Sequence, residues 1–184
     1  MAKPHTVHCK DESATARFVH NLANAIAAFF TKSAGAQESS PTTLFVSLVG
    51  DLGAGKTTAT RYLLKALGYE SKVKSPTYSL CEEYSVDLNS QISLHVFHFD
   101  LYRMQSPQEW QEAGLMEPFS NPQGPTLCII EWPEKAEHTL PPLDLVIGLD
   151  HMHGAEFDLA RSVTLSAHTP KGEDILNTLP TSAS

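Results

Sequence analysis

Basic residues are scarce in this sequence. Thirteen Lys+Arg against 21 Asp+Glu give a formal net charge of −8, and no basic run stands out. A surface that grips tRNA or DNA by counterion release is normally basic, so direct nucleic-acid binding by the free chain is not expected. Cysteine is also sparse: Cys9, Cys81 and Cys128 are an odd number with no C-x-x-C spacing. That argues against a disulfide framework or zinc site and for reduced thiols in a cytoplasm. Long apolar runs are missing, the longest block being Ala25–Phe30, far short of a membrane span. The first residues show no charged stretch followed by an apolar one, so neither export nor membrane insertion is expected.

What remains is the composition of an ordinary globular protein, 41% hydrophobic and 18% charged over 184 residues. The simplest organisation is one domain over residues 1–170, followed by a tail over 171–184 that holds one weak amphipathic turn (Ile175, Leu176, Leu179). No internal repeat is present.

The chain is organised around Gly50-Asp51-Leu52-Gly53-Ala54-Gly55-Lys56-Thr57-Thr58, a match to G-x-x-x-x-G-K-[ST]. A chance match of this kind is on the order of one per cent per chain, and the flanking pattern lowers that further. Upstream, Leu44–Val49 is an apolar, β-branched run that reads as a buried strand. Downstream, Tyr62, Leu63, Ala66 and Leu67 recur at helical spacing, and Gly68 stands where a helix would stop. Strand, glycine loop and helix together turn backbone N–H groups inward around a phosphate, and the helix start adds unpaired donors and a positive dipole end. Lys56 would reach the β- and γ-phosphates, and the Thr57 hydroxyl would ligate Mg²⁺. The loop from Gly50 to Thr58, including Leu52 and Ala54, is therefore the expected nucleotide-contacting segment.

Along the chain, residues 1–10 read as an entry strand or loose start. Phe18, Leu22, Ala25, Ile26 and Phe29 trace one face of a helix from Ser13 to about Thr31, capped by Asp11 or Ser13. Lys32–Pro41 is polar and rich in small residues and reads as a loop. Val73–Leu80 contains Pro76, which disfavours helix at Ser75, so it is extended or a loop. Ile92–Phe99 alternates as a strand ending at Asp100. Ser106-Pro107-Gln108-Glu109 predicts a helix start, with Ser106 as cap and Pro107 first, that ends at Gly114. Leu127–Ile130 and Leu143–Leu149 are further strands, and Phe157–Leu159 and Val163–Leu165 flank a turn-rich patch around Gly154. Strands alternating with helices predict an α/β sheet, mostly parallel and flanked by helices, with an antiparallel hairpin near the C-terminus.

Hydrolysis needs acids as well as a loop. Ligands of open α/β sheets sit beyond the carboxyl ends of the strands, and Asp100 and Glu131 each end one. Either could bind Mg²⁺, which takes only one or two protein oxygens, while the other orients the attacking water. Ser75 and Thr77 stand where nucleotide-sensing switch loops occur. Trp132 could pack near the nucleotide or close the core, and Arg103 and Arg161 could each face phosphate. His95, His98, His151 and His153 invite a metal reading, but His151-x-His153 lacks a third ligand at helical spacing, so zinc is not expected.

Five blocks then occur in order: Gly50–Thr58, Val73-Lys-Ser-Pro-Thr-Tyr78, Glu82-Glu-Tyr84, His98-Phe-Asp-Leu-Tyr-Arg103 and Ile130-Glu-Trp-Pro-Glu-Lys135. As a set, spanning about residues 43–150, they closely resemble the bacterial TsaE (YjeE) family. The resemblance implies a P-loop ATPase that serves threonylcarbamoyladenosine formation in tRNA together with the TsaB–TsaD pair. It implies docking on TsaD and ATP hydrolysis that resets the complex, not transfer of the threonylcarbamoyl group. It further implies that Gly53–Thr57 hold the phosphates, Thr57 and Glu131 hold Mg²⁺, and Asp100 is the catalytic acid. Ser75-Pro76-Thr77 would be the switch-like loop and Trp132 would lie beside the nucleotide. Thr15 would touch the base and Arg161 the nucleotide.

Two other classes stay open. A small-molecule P-loop kinase would need a basic, mobile lid, and no arginine cluster suggests one. A nucleotide-gated assembly factor would need binding without hydrolysis. A GTPase is the least expected, because no N-K-x-D signature is present.

Overall fold

The computed structural model describes residues 4–35, 42–74, 76, 79–89, 92–120, 122–136, 138–152 and 159–180. Among these described residues, seven strands and five helices follow one another: β1 His5–Cys9, α1 Glu12–Gly35, β2 Thr43–Val49, α2 Lys56–Ala66, β3 Cys81–Leu88, β4 Ile92–Asp100, α3 Glu109–Glu112, α4 Glu117–Ser120, β5 Thr126–Glu131, β6 Leu145–His151, β7 Arg161–Ala167 and α5 Pro170–Thr178. A single 3-10 turn, Pro133–Ala136, follows β5.

One sheet carries all seven strands in the order β1-β7-β6-β2-β5-β4-β3. Strands β6, β2, β5 and β4 run parallel at its centre. β3 closes one side as an antiparallel partner of β4, and β7 and β1 close the other. The β6–β7 pair is the antiparallel hairpin that the closing segments predict.

Strand alternation splits the core in two. Val46 and Leu48, with Leu127 and Ile129 beside them, belong to a cluster that includes Leu22 and Ile26 of α1, Leu63 and Leu64 of α2, and Ile175 of α5. Cys128, Ile130 and Phe99 face the other way, into a cluster with Trp110 of α3 and Ala136 of the 3-10 turn. Every residue of β5 is buried, as a strand covered on both faces must be. Burial pushes the Cys81 thiol up to about 12, with Glu83 and Glu82 adding to the shift, and raises Cys9 and Cys128 as well.

Helix ends follow local chemistry. Asp11 is the cap of α1, its Oδ1 accepting the Ala14 N–H at 2.7 Å. α2 ends in a left-handed Gly68 (φ 108°), with Tyr69 N donating to the Leu64 carbonyl and Gly68 N to that of Lys65, the Schellman arrangement. At α5, Thr169 is the cap and Pro170 opens the first turn.

Several boundaries differ from the sequence expectation. α1 runs on to Gly35, into the segment expected to be loop; residues 36–41 lie outside the described residues. β3 is a strand that the sequence reading left unassigned, although Tyr84, Val86 and Leu88 alternate with exposed Glu83, Ser85 and Asp87. The helix expected to begin at Pro107 begins at Glu109. Ser106 caps nothing with its side chain there: its carbonyl takes the Glu109 N–H, and the Glu109 carboxylate reaches back to the Gln105 N–H at 2.6 Å. The segment thus forms a turn before the helix, and Gly114 (φ 75°) follows its end. The amphipathic turn expected in the tail is the nine-residue α5, with Ile175 fully buried.

Asp144, 2% exposed, ties three elements together. Its Oδ2 accepts the Phe45 N–H of β2 at 2.8 Å, its Oδ1 accepts the Thr169 hydroxyl at 2.5 Å, and its backbone carbonyl accepts the His168 N–H at 3.0 Å. Removing the carboxylate leaves buried donors unmatched, so Asp144→Ala should cost about 3 kcal/mol. The midpoint and slope of urea unfolding measure that loss.

Candidate nucleotide-binding site

β2 stops at Gly50 because no other residue fits there. Its φ is 144°, and an added Cβ would stand 2.3 Å from the Leu149 carbonyl oxygen of β6. Gly53 (φ 82°) and Gly55 (φ 104°) are left-handed too, but nothing lies within 4 Å of the Cβ either would carry. At Gly50, then, glycine answers a packing demand. At Gly53 and Gly55 it answers a backbone demand and leaves open space above the loop, room in which an anion could sit. Ala54 is fully buried and Leu52, at the tip, is 72% exposed.

α2 starts directly from this loop. Gly55, at the N-cap position, contributes no side-chain hydrogen bond, so the first-turn N–H groups have no side-chain cap and point toward the open space. Thr57 and Thr58 are half-buried in that first turn. Lys56 is 5% exposed, and its Nζ donates to the Gly50 carbonyl at 2.6 Å and the Asp51 carbonyl at 2.9 Å. The same ammonium stands 3.7 Å from the centre of the Trp132 ring, a cation–π contact. Burial pushes the Lys56 ammonium below its ordinary value, opposed by Glu131, Glu134, Asp100 and Asp51 in that order.

Glu131 and Asp100 end adjacent strands and are direct register partners. Glu131 is 2% exposed and doubly held: its Oε2 accepts the Thr57 hydroxyl at 3.0 Å and its Oε1 lies 2.8 Å from His98 Nε2. Asp100 is half-buried, its Oδ1 accepting the Tyr102 N–H at 3.2 Å. Burial chiefly raises the Asp100 carboxyl above its usual range, and Glu131 adds to this; the Tyr102 N–H, His98 and Lys56 oppose it. Trp132 follows Glu131 with φ 59°, a left-handed conformation uncommon for a bulky residue. Tyr102, 43% exposed, packs against the Trp132 ring with centroids 4.8 Å apart.

The structure therefore brings Lys56, Thr57, Asp100, Glu131 and Trp132 to one place, at the carboxyl ends of β2, β4 and β5. Arg161, at the start of β7, joins them differently: its Nε donates to the Ala54 carbonyl at 2.8 Å, bracing the loop from behind. Thr15 sits apart in its described contacts. It is buried in the first turn of α1, its hydroxyl donating to the Asp11 carbonyl at 3.2 Å and bonding the Cys9 thiol. Thr77 and Ser75 lie outside the described residues, as does His153. The sequence reading missed two contacts: the His98–Glu131 bond and the stacking of Lys56 on Trp132. The strand alternation that sets His98 and Asp100 on one face was a usable signal for the first; nothing in the sequence signals the second.

The donor set can hold a triphosphate and a hard cation. Free backbone donors and an ammonium serve anions, and a hydroxyl with two carboxylates supplies only oxygen ligands, the preference of Mg²⁺. Among the described residues, no helix is long and apolar enough to cross a membrane.

The family model described as "Threonylcarbamoyl adenosine biosynthesis protein TsaE" matches residues 9–161. The tRNA threonylcarbamoyladenosine biosynthesis protein TsaE of Haemophilus influenzae is 36% identical over 172 residues, covering 94% of this chain and 95% of its own. The protein of the same name from Bacillus subtilis is 38% identical over 96 residues, 52% of this chain and 54% of its own. The crystal structure of Bacillus subtilis YdiB superposes with a TM-score of 0.63 at 24% identity, covering 96% of this chain and 94% of that one. That likeness shows the shared fold, an α/β sheet of the P-loop type. By the family match and by its near full-length similarity to the Haemophilus influenzae protein, this chain belongs to the TsaE family.

Proposed function

We propose that the chain is a Mg²⁺-dependent ATPase that drives or resets a TsaB–TsaD assembly during formation of N6-threonylcarbamoyladenosine in tRNA. One observation carries the reading. The Thr57 hydroxyl opening α2 meets the Glu131 carboxylate at 3.0 Å, below a loop of left-handed glycines, with Asp100 in register beside it.

Thr57 and Glu131 would hold the ion, with Asp100 next to them. Bound there, Mg²⁺ would neutralise charge developing on the β- and γ-phosphate oxygens. The chain's own groups do the rest. The loop amides and the first turn of α2 take phosphate oxygens. Lys56 exchanges its two loop carbonyls for a phosphate oxygen. Asp100, whose pKa burial raises, is a stronger base than an exposed carboxylate and suits accepting a proton from the attacking water. The Tyr102 N–H fixes Oδ1 of that carboxylate and leaves Oδ2 for the water. The acidic balance of the chain fits a cytoplasmic subunit that acts on tRNA through protein partners.

Phosphate release from ATP, measured for the chain alone and with TsaB and TsaD, tests the proposal. Turnover should be slow alone and rise with both partners, with no small metabolite required. Asp100→Ala and Glu131→Ala should each lower it by about 10²–10³-fold. If those variants bind ATP and still support full tRNA modification, hydrolysis is irrelevant and nucleotide binding alone is the signal. Phosphorylation of an added metabolite would instead mark a kinase.

A further inference from the structure

His98 lies near the carboxyl end of β4, fully buried, between strand neighbours that pack as hydrocarbon. It stands two residues before Asp100, so both side chains leave the same face of the strand. Its Nε2 is 2.8 Å from Glu131 Oε1, while Glu131 Oε2 takes the Thr57 hydroxyl. An ionised carboxylate offers only acceptors, so Nε2 carries the proton and donates. Among the described residues, Nδ1 has no hydrogen-bond partner. The ring therefore spends its place in the core on a single bond. A buried pair of this kind gains little stability over a well-packed aliphatic side chain, so the fold alone does not account for it.

We propose that His98 is a positioning residue for Glu131: its Nε2–H pins Oε1, which keeps Oε2 turned toward Thr57 and toward the cation those two oxygens suit. The terminal torsion of a glutamate is broad and roughly two-fold, and the Thr57 hydroxyl restrains only one of its oxygens. The His98 bond restrains the other. Partners of this outer kind are worth about 10–100-fold in metal affinity. The inference rests on the Mg²⁺ reading above and adds a residue to it.

The test compares three substitutions in the full chain: His98→Gln, whose amide nitrogen reaches close to the position of Nε2, His98→Asn, whose amide is too short, and His98→Leu, which fills space without a donor. Equilibrium binding of ATP is measured across a Mg²⁺ series and again in excess EDTA, with thermal melting alongside. The Asn and Leu variants should need about tenfold more Mg²⁺ for half-saturation, and the Gln variant should stay within about threefold of the parent. ATP binding in EDTA should be unchanged in all three, a pattern that a general loss of packing would not give. An unshifted Mg²⁺ requirement in the folded Asn variant overturns the assignment, as does an equal loss of binding in EDTA. Should the Leu variant not fold, the polar Asn–Gln pair decides. Thr57→Ala and Glu131→Gln are run beside them. If those two shift the requirement and the His98 variants do not, only the role of His98 fails; if neither shifts it, the metal site itself fails.

Discussion

Lys56→Ala is expected to lower ATP turnover by about 10³-fold and to remove measurable nucleotide binding. The ammonium is nearly enclosed, bonded to the Gly50 and Asp51 carbonyls and stacked on Trp132. Burial has already weakened its hold on its proton, and four carboxylates restore part of that hold. Such a cation, largely stripped of water, interacts with phosphate far more strongly than a surface lysine does. Arg161 is not arranged to take its place, since its Nε donates to the Ala54 carbonyl. The fold should survive, because the two carbonyls freed by the change border the open loop and can turn to solvent. Lys56→Arg should not rescue function, because the longer planar fork cannot occupy the space under the indole. ATP affinity and phosphate release measure the loss, and melting temperature separates it from unfolding. Turnover equal to the parent's would refute the assignment of the site.

Gly50→Ala should be severely damaging for a single added methyl, costing about 3–5 kcal/mol. Two penalties coincide there. The backbone sits at φ 144°, which only glycine adopts freely, and the new Cβ would lie 2.3 Å from the Leu149 oxygen. That oxygen belongs to the backbone of a central strand, so relief requires β6 to part from β2 or the loop to shift. Either movement also distorts the loop proposed to hold phosphate. Gly53→Ala makes the comparison informative: it has positive φ but no clash within 4 Å, so its cost should be about 1 kcal/mol. Urea unfolding of the two variants separates steric overlap from backbone conformation. Equal losses would mean that the approach of β6 to Gly50 is not what demands glycine.

Much of this was legible in the sequence because it is written in local signals. The loop spacing, the apolar runs of β2 and β5 and the cap at Asp11 or Ser13, of which the structure uses Asp11, each depend on residues a few positions apart. Asp100 and Glu131 were legible as strand ends, and parallel neighbours with aligned tips then put them side by side. β3 was legible too, but its charged outward residues and the turn-rich stretch before it hid a clear alternation. What could not be read is contact set by three-dimensional approach. The stacking of Trp132 on Lys56 joins residues far apart through a left-handed backbone that an indole rarely takes. The ties of Asp144 to Phe45 and Thr169 likewise cross the whole chain, as does the bond from Arg161 Nε to the Ala54 carbonyl of the loop.

The strand order has a consequence during synthesis. β2, the most apolar early strand, is flanked by β5 and β6, pairing Thr43 with Thr126 and Val46 with Leu145. Both of its edges therefore stay bare until the second half of the chain has left the ribosome. At about 5–20 residues per second, that leaves a sticky, unpaired segment exposed for several seconds. The nascent chain thus passes through a window in which self-association competes with folding; it begins to close when β5 arrives and closes fully with β6.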